Sequence, residues 1–310
     1  MYLKIVIEKI RDLRSDIVGS PVNVETNFGK YQVYVQRSPL MEPNIKDKIE
    51  NKELDGLAIR VNDRSLSDVG FLKQLPNLEY LDLGRNNISD LSSIEALNEL
   101  KYLSFKGSIE AKLDLSTLSK LQDLLVLYDK KIQNLFTCTN LKRLVIHHYK
   151  NKNNNAEEFK ALKRLEILEI WSSPIRNIDG LKGLNSLQRV ELRYLQKLES
   201  IKGIENNSSI EELWIQNCKK VNDWEVLGTL SNLKVLTMEA CGNISSLNFL
   251  DKLESLESIR LVSNTFIEDG KLSWLIEKES MKYFNTPIEN HYDVSLETLS
   301  KFNDFGIRDN

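Results

Sequence analysis

The stretch from Leu78 to Leu100, LEYLDLGRNNISDLSSIEALNEL, decides how this chain folds. In it Leu78, Leu81, Leu83 and Asn86 spell L-x-x-L-x-L-x-x-N, after which Ile88, Leu91, Ile94, Leu97 and Leu100 put an apolar residue at every third position. The alternation at Leu81 and Leu83 is that of a short strand with one buried face. A period of three fits one edge of a 3₁₀-like or extended turn, not an α-helix. A single unit cannot bury this surface alone. Stacked copies can, because each strand pairs with the next at ~4.7–4.9 Å and each leucine row lies on the row before it. Asn86 falls where the chain must leave the strand, and its amide can satisfy backbone groups there.

The pattern recurs with strand starts at Leu54, Leu78, Leu100, Leu121, Leu141, Leu165, Leu187, Ile210, Leu233 and Leu256, and in degraded form at Met281. Starts lie 20 to 25 residues apart, which makes one repeat domain. The Asn slot holds Asn62, Asn86 and Asn264, but Ser108, Asp129, Tyr149, Ser173, Leu195, Cys218 and Cys241 elsewhere. Tyr149 and Leu195 do not fit the Asn role, so curvature should be irregular near the fifth and seventh repeats. The insertion from Asn151 to Ala156 should form a polar bulge on the convex or flanking side.

From Leu54 to Tyr292 the chain resembles leucine-rich-repeat proteins, with the 22-residue class typified by the phosphatase regulator Sds22 and by bacterial internalins as the nearest subtype. Three runs carry the likeness: Asn86, Ile88, Leu91, Ile94, Leu97 and Leu100; Ile175, Ile178, Leu181, Leu184 and Leu187; and Ile244, Leu247, Leu250, Leu253 and Leu256. The resemblance implies an α/β repeat fold. This is a curved solenoid with a parallel β-sheet on the concave face, a 3₁₀, extended or short helical convex side, and partners that dock on the sheet.

Residues 1–53 lie outside the pattern and are expected to form an N-terminal cap. Tyr2, Ile5 and Ile7 can line one strand, and Val22 to Val35 reads as a hairpin turning at Asn27-Phe28-Gly29-Lys30. Pro39, Pro43 and the charged NIKDKIENKE then make a linker or short helix into the solenoid, residues 54–292, of about ten or eleven repeats. Residues 293–310 read as a C-terminal helical cap, opened by Ser295 with Glu297 and Thr298, with Leu296, Leu299 and Phe302 on one face.

Composition narrows the function classes. With 28% charged residues the chain has no window resembling a membrane span, and Lys4, Glu8, Lys9, Arg11 and Asp12 break its first apolar run, so the expected location is the cytoplasm. A net charge of -3 without a basic block argues against nucleic acid. Three cysteines cannot close a disulfide framework, and Cys218 and Cys241, in equivalent slots of adjacent repeats, should be reduced neighbours. No metal or cofactor motif is present. His147 and His148 should diverge on their strand, and a hydrolase built from Asp129 and these histidines is disfavoured against an interstrand polar pair.

The expected site is the solvent-facing side of the sheet. In each repeat the third, fifth and seventh residues alternate with the buried ones. The candidate partner-binding residues are therefore Tyr80, Arg85, Tyr102, Leu125, Leu127, Tyr128, His147, Ile167, Glu169, Trp171, Arg189, Glu191, Arg193, Tyr194, Glu212, Trp214 and Gln216. Leu125, Leu127, Val145, Ile167, Trp171 and Trp214 should make a contiguous apolar patch ringed by charge, as protein interfaces do. Arg193 beside Trp171 permits a cation–π contact, Arg189 beside Glu212 an ion pair, and Trp224 should be convex-side core. The expectation is a non-enzymatic module, monomeric when free, that binds one folded protein through its concave face as an inhibitor or immunity-type protein. The alternative is an Sds22-like regulatory subunit of an enzyme.

Overall fold

Strands form where the leucine rows require them. A computed structural model describes residues 19, 21–37, 40–60 and 69–308, and each repeat start named above is followed two residues later by a strand. Asn62, Tyr2, Ile5, Ile7 and Pro39 lie outside the described residues. The chain divides into two compact units, Met1–Ile146 and His147–Asn310.

The first unit opens with β1 (Pro21–Thr26) and β2 (Gly29–Gln36), an antiparallel hairpin in which Thr26 faces Gly29. A short helix, α1 (Ile45–Glu50), leads through buried Ile45 and Ile49 to β3 (Gly56–Ile59). Then follow β4 (Tyr80–Asp82), β5 (Tyr102–Phe105), β6 (Leu113–Asp114), β7 (Asp123–Leu127), β8 (Ile132–Gln133) and β9 (Arg143–His147). Strands β2, β3, β4, β5 and β7 pair in parallel, in that order. Strands β6 and β8 form a separate small ladder. The hairpin is therefore continuous with the repeat sheet.

In the second unit β10 (Ile167–Trp171), β11 (Arg189–Arg193), β12 (Glu212–Gln216) and β13 (Val235–Glu239) pair in parallel. After β14 (Gly242–Ile244), the same ladder continues through β15 (Ser258–Val262) and, beyond β16 (Thr265–Ile267) and helix α2 (Ser273–Glu277), to β17 (Tyr283–Asn285). The period of three becomes short 3₁₀ turns, among them Ser92–Ala96, Glu157–Ala161 and Trp224–Thr229. Their leucines and isoleucines are buried, and Trp224 joins them at 7% exposure. No helix among the described residues is long and apolar enough to cross a membrane.

Two rules of the repeat were not anticipated. The residue after each of β9, β10, β11, β12, β13 and β15 is left-handed without being glycine: His148, Ser172, Tyr194, Asn217, Ala240 and Ser263 have φ between 50° and 57°. The conformation is costly for such residues. It turns the N–H toward the next strand, so Ser172 donates to Arg193 O at 2.8 Å and Tyr194 to Gln216 O at 2.7 Å, and the ladder gains one rung.

The Asn slot accepts several chemistries. Asn86 donates to Ile59 O and Leu83 O, while the thiols of Cys218 and Cys241 each reach two carbonyls at 3.4–3.5 Å. Tyr149 is buried edge-on against Phe159 and donates to Glu158, and Leu195 is simply buried. In the last full repeat Thr265, not Asn264, fills the slot: its hydroxyl donates to Met238 O and Val262 O, and Asn264 is exposed.

Helix α3 (Leu296–Arg308) begins where Ser295 Oγ accepts the Thr298 N–H at 3.1 Å. Its buried side is Leu299, while Leu296 is 68% exposed, against expectation. The helix docks one turn later, through Asn303, whose amide bonds both the N–H and C=O of Phe284.

Candidate protein-binding face

In the first unit the outward side of the sheet is closed. Val24, Tyr31, Val33 and Val35 of the hairpin cluster with Ala58, Tyr80, Tyr102, Leu125 and Val145. Tyr80 stacks on Tyr102 at 4.2 Å between ring centroids, and Tyr31 packs on Tyr80 at 5.3 Å. Gly56 makes room for this stack, since a Cβ there would lie 2.4 Å from Tyr80 O. The hairpin tip reaches the fifth repeat, where the Lys142 ammonium sits 5.2 Å from the Phe28 ring.

Tyr80, Tyr102 and Leu125 are consequently core, at 0%, 2% and 5% exposure, and not the solvent-facing residues expected. Burial pushes the Tyr31 hydroxyl up to about 12, with nearby carboxylates adding to the shift, so it stays neutral. Two carboxylates on this face pair with arginines. Asp82 bonds Arg60, and Asp123 lies 3.3 Å from Arg143 with both side chains 3% exposed. Asp123 escaped the sequence reading because a lone aspartate at an outward position looks like a solvated one. Arg85 is exposed, and Leu127 and Tyr128 are half-buried.

In the second unit the same side of the sheet is open, and its centre is built by β10, β11 and β12. Their register places Trp171 beside Arg193 and Gln216, and Glu169 beside Glu191 and Trp214. The Arg193 guanidinium is sandwiched, 4.5 Å from the Trp171 ring centroid and 3.5 Å from that of Trp214. The contact with Trp171 follows from the register; that with Trp214 is diagonal, within the reach of long side chains on neighbouring strands. His147 extends the stack, 4.9 Å from Trp171 at an interplanar angle of 29°.

A buried carboxylate holds this arrangement. Glu191, 2% exposed, accepts from Arg189 Nε at 2.9 Å and meets Arg193 Nη2 at 2.5 Å. Arg189 in turn lies 3.7 Å from Glu212, the ion pair that the sequence permitted. Burial, and then the charge of Glu169, raise the Glu191 carboxyl above the usual glutamate range against the opposing pull of the two arginines. Glu169, Glu191 and Gln216, at 7%, 2% and 8% exposure, thus form the floor of the face and not its surface. Ile167, Trp171, Arg189, Arg193, Glu212 and Trp214 are half-buried, and Tyr194 is 42% exposed. Neither indole N–H of Trp171 and Trp214 has a hydrogen-bond partner among the described residues. Two tryptophans and a desolvated arginine, fixed by a buried acid and rimmed by charge, have the chemistry of an interface anchor.

Other candidates have structural roles. Asp129 Oδ1 accepts the Lys131 N–H at 2.8 Å within its own turn, and His148 is exposed. Cys138, Cys218 and Cys241 are free and buried, each thiol pushed up to about 12 chiefly by desolvation, which removes the thiolate needed for nucleophilic or redox work. Among the described residues no three His, Cys, Asp or Glu side chains converge as metal ligands would.

No family model matches the sequence. The chain is 32% identical over 148 residues to a protein phosphatase 1 regulatory inhibitor subunit PPP1R7 homolog of Arabidopsis thaliana, covering 45% of each chain. It is 31% identical over 248 residues to leucine-rich repeat-containing protein 23 of Homo sapiens, covering 77% of this chain and 64% of that one. It therefore spans less than two thirds of the length of either relative. Among solved structures, an internalin (inlF) of Listeria monocytogenes str. 4b F2365 is similar at a TM-score of 0.55 over 84% of this chain and 85% of that one. At 17% identity the likeness is one of fold.

Proposed function

The chain is a leucine-rich-repeat protein, and we propose that it is a non-enzymatic, cytoplasmic interaction module, monomeric when free, that binds a folded protein through the outward sheet face of β10, β11 and β12. The observation that carries this reading is the Trp171–Arg193–Trp214 sandwich standing on a buried Glu191 at an otherwise open face. Lateral packing within the sheet accounts for each contact singly. It does not account for two tryptophans left half-exposed on a face whose counterpart in the first unit is largely covered by the hairpin. Because Glu191 and Arg193 already fix these side chains, docking orders little, which favours affinity.

Binding that blocks its partner is an inhibitor or immunity-type role; binding that positions it is a regulatory one. The second is favoured by the similarity to a phosphatase regulatory inhibitor subunit. The test is capture from the native source by wild type and by the Trp171→Ala/Trp214→Ala double variant, alongside direct titration with a protein phosphatase 1 catalytic subunit. A protein captured by wild type and lost with the variant supports the face. Identical captures overturn it, and a phosphatase that fails to bind removes the second reading only.

A further inference from the structure

Between β11, β12 and β13 the open face holds a hollow of about 50 Å³ lined by Arg189, Glu191, Glu212, Trp214, Val235 and Thr237. It suits the end of one side chain. Its walls are part aromatic, part apolar and part carboxylate. Arg189 gives Nε, at 2.9 Å, and Nη2 to one oxygen of Glu191 and is only loosely paired with Glu212 at 3.7 Å. Glu212, with 27% of its side chain exposed, keeps acceptor capacity toward the hollow.

The charges around it are unequal. The outward positions of β10, β11, β12 and β13 carry Glu169, Glu191, Glu212 and Glu239 against Arg189 and Arg193, and the next cation, exposed Arg260, lies beyond Thr237 on β15. The Glu191 carboxyl is raised first by burial and then by the charge of Glu169, although two arginines touch it. A cation entering the hollow meets the Glu212 carboxylate and the Trp214 indole together. An acidic group meets the Glu212 carboxylate at the hollow and the Glu191 carboxylate beside it, and an apolar group strips water from Glu212 without replacing it.

We propose that this hollow receives a basic side chain, the end of an arginine or lysine, from the folded protein that docks on the face; the proposal rests on the docking reading above. The test needs no knowledge of the partner. The Trp214 indole N–H is followed by ¹H–¹⁵N NMR, assigned with Trp214→Phe, during titration with N-acetyl-arginine amide, N-acetyl-leucine amide and N-acetyl-glutamate amide. The arginine probe should give a saturable shift with half-saturation below about 50 mM. Glu212→Gln should weaken it about threefold or more, and Glu212→Lys should abolish it, with thermal unfolding unchanged in both. No saturable shift, or an equal one with the leucine or glutamate probe, overturns the proposal. If the arginine probe fails while capture still depends on Trp171 and Trp214, the hollow is misassigned and the docking face stands; if capture is identical in the double variant, the docking face itself has failed.

Discussion

In the unit of residues 1–146 the outward side of the sheet is packed beneath the chain's own hairpin, whereas in residues 147–310 the equivalent side is left to solvent around Trp171, Arg193 and Trp214. Both sides are written in the same alternation, with aromatic, aliphatic and charged residues at the outward positions of each. The difference teaches that an outward position is not yet a surface. Where Val24, Tyr31, Val33 and Val35 are available as cover, tyrosines stack in a core and charges such as Asp123 and Arg143 pair in the dark. Without such cover the same kinds of residue remain half-exposed, held from below by a buried glutamate.

The comparison presumes that both sheets share one register, and the largest effect tests that. Leu236, fully buried in the inner row, should not tolerate aspartate, because the buried charge has no partner. Leu236→Asp is expected to abolish folding by circular dichroism; a soluble, native-like variant would sink the register. Next, the covered face should respond as a core. Tyr102→Ala is expected to cost about 3–5 kcal/mol in denaturant unfolding, and Asp123→Ala a similar amount because buried Arg143 loses a carboxylate partner. Losses below about 1 kcal/mol in both would show that the hairpin does not close this face.

The open face should behave in the opposite way. Trp171→Ala with Trp214→Ala should lower stability by no more than about 2 kcal/mol, the scale of two partly exposed cation–π contacts, while weakening partner capture at least about tenfold. Collapse of the fold would move both tryptophans into the core and erase the contrast between the units. The smallest expected effect is a slope with pH. Because the folded state raises the Glu191 carboxyl above its unfolded value, the folded protein binds more protons than the unfolded one in that interval. The contribution of this group to stability is thus present below the usual glutamate range and falls as pH rises through the raised value. Glu191→Gln should flatten that part of the stability profile, and an unchanged profile would show that burial of this carboxyl is not felt.

Much of the architecture was legible in the residues alone. The spacing of leucines placed the main strand of each repeat, the period of three placed the 3₁₀ turns, and Ser295 marked the start of the last helix. These are local signals, each written within one repeat. The same signals named the residues pointing away from the leucine core, and with them Arg193 as the neighbour of Trp171. They did not show that Tyr80, Tyr102 and Leu125 are roofed over, that Glu191 and Gln216 are floor, or that Thr265 replaces Asn264.

The reason is one of range. Periodicity reports which side of a strand a residue occupies, because that depends only on its neighbours in the chain. Whether that side is wet depends on what else lies over it, and Tyr31 meets Tyr80, and Phe28 meets Lys142, only through the tertiary fold. The sequence by itself determined a stack of leucine-rich units with one buried and one outward face. The tertiary structure alone decided which part of the outward face the chain covers itself and which part it leaves open, because burial is set by distant segments and not by the alternation of one strand.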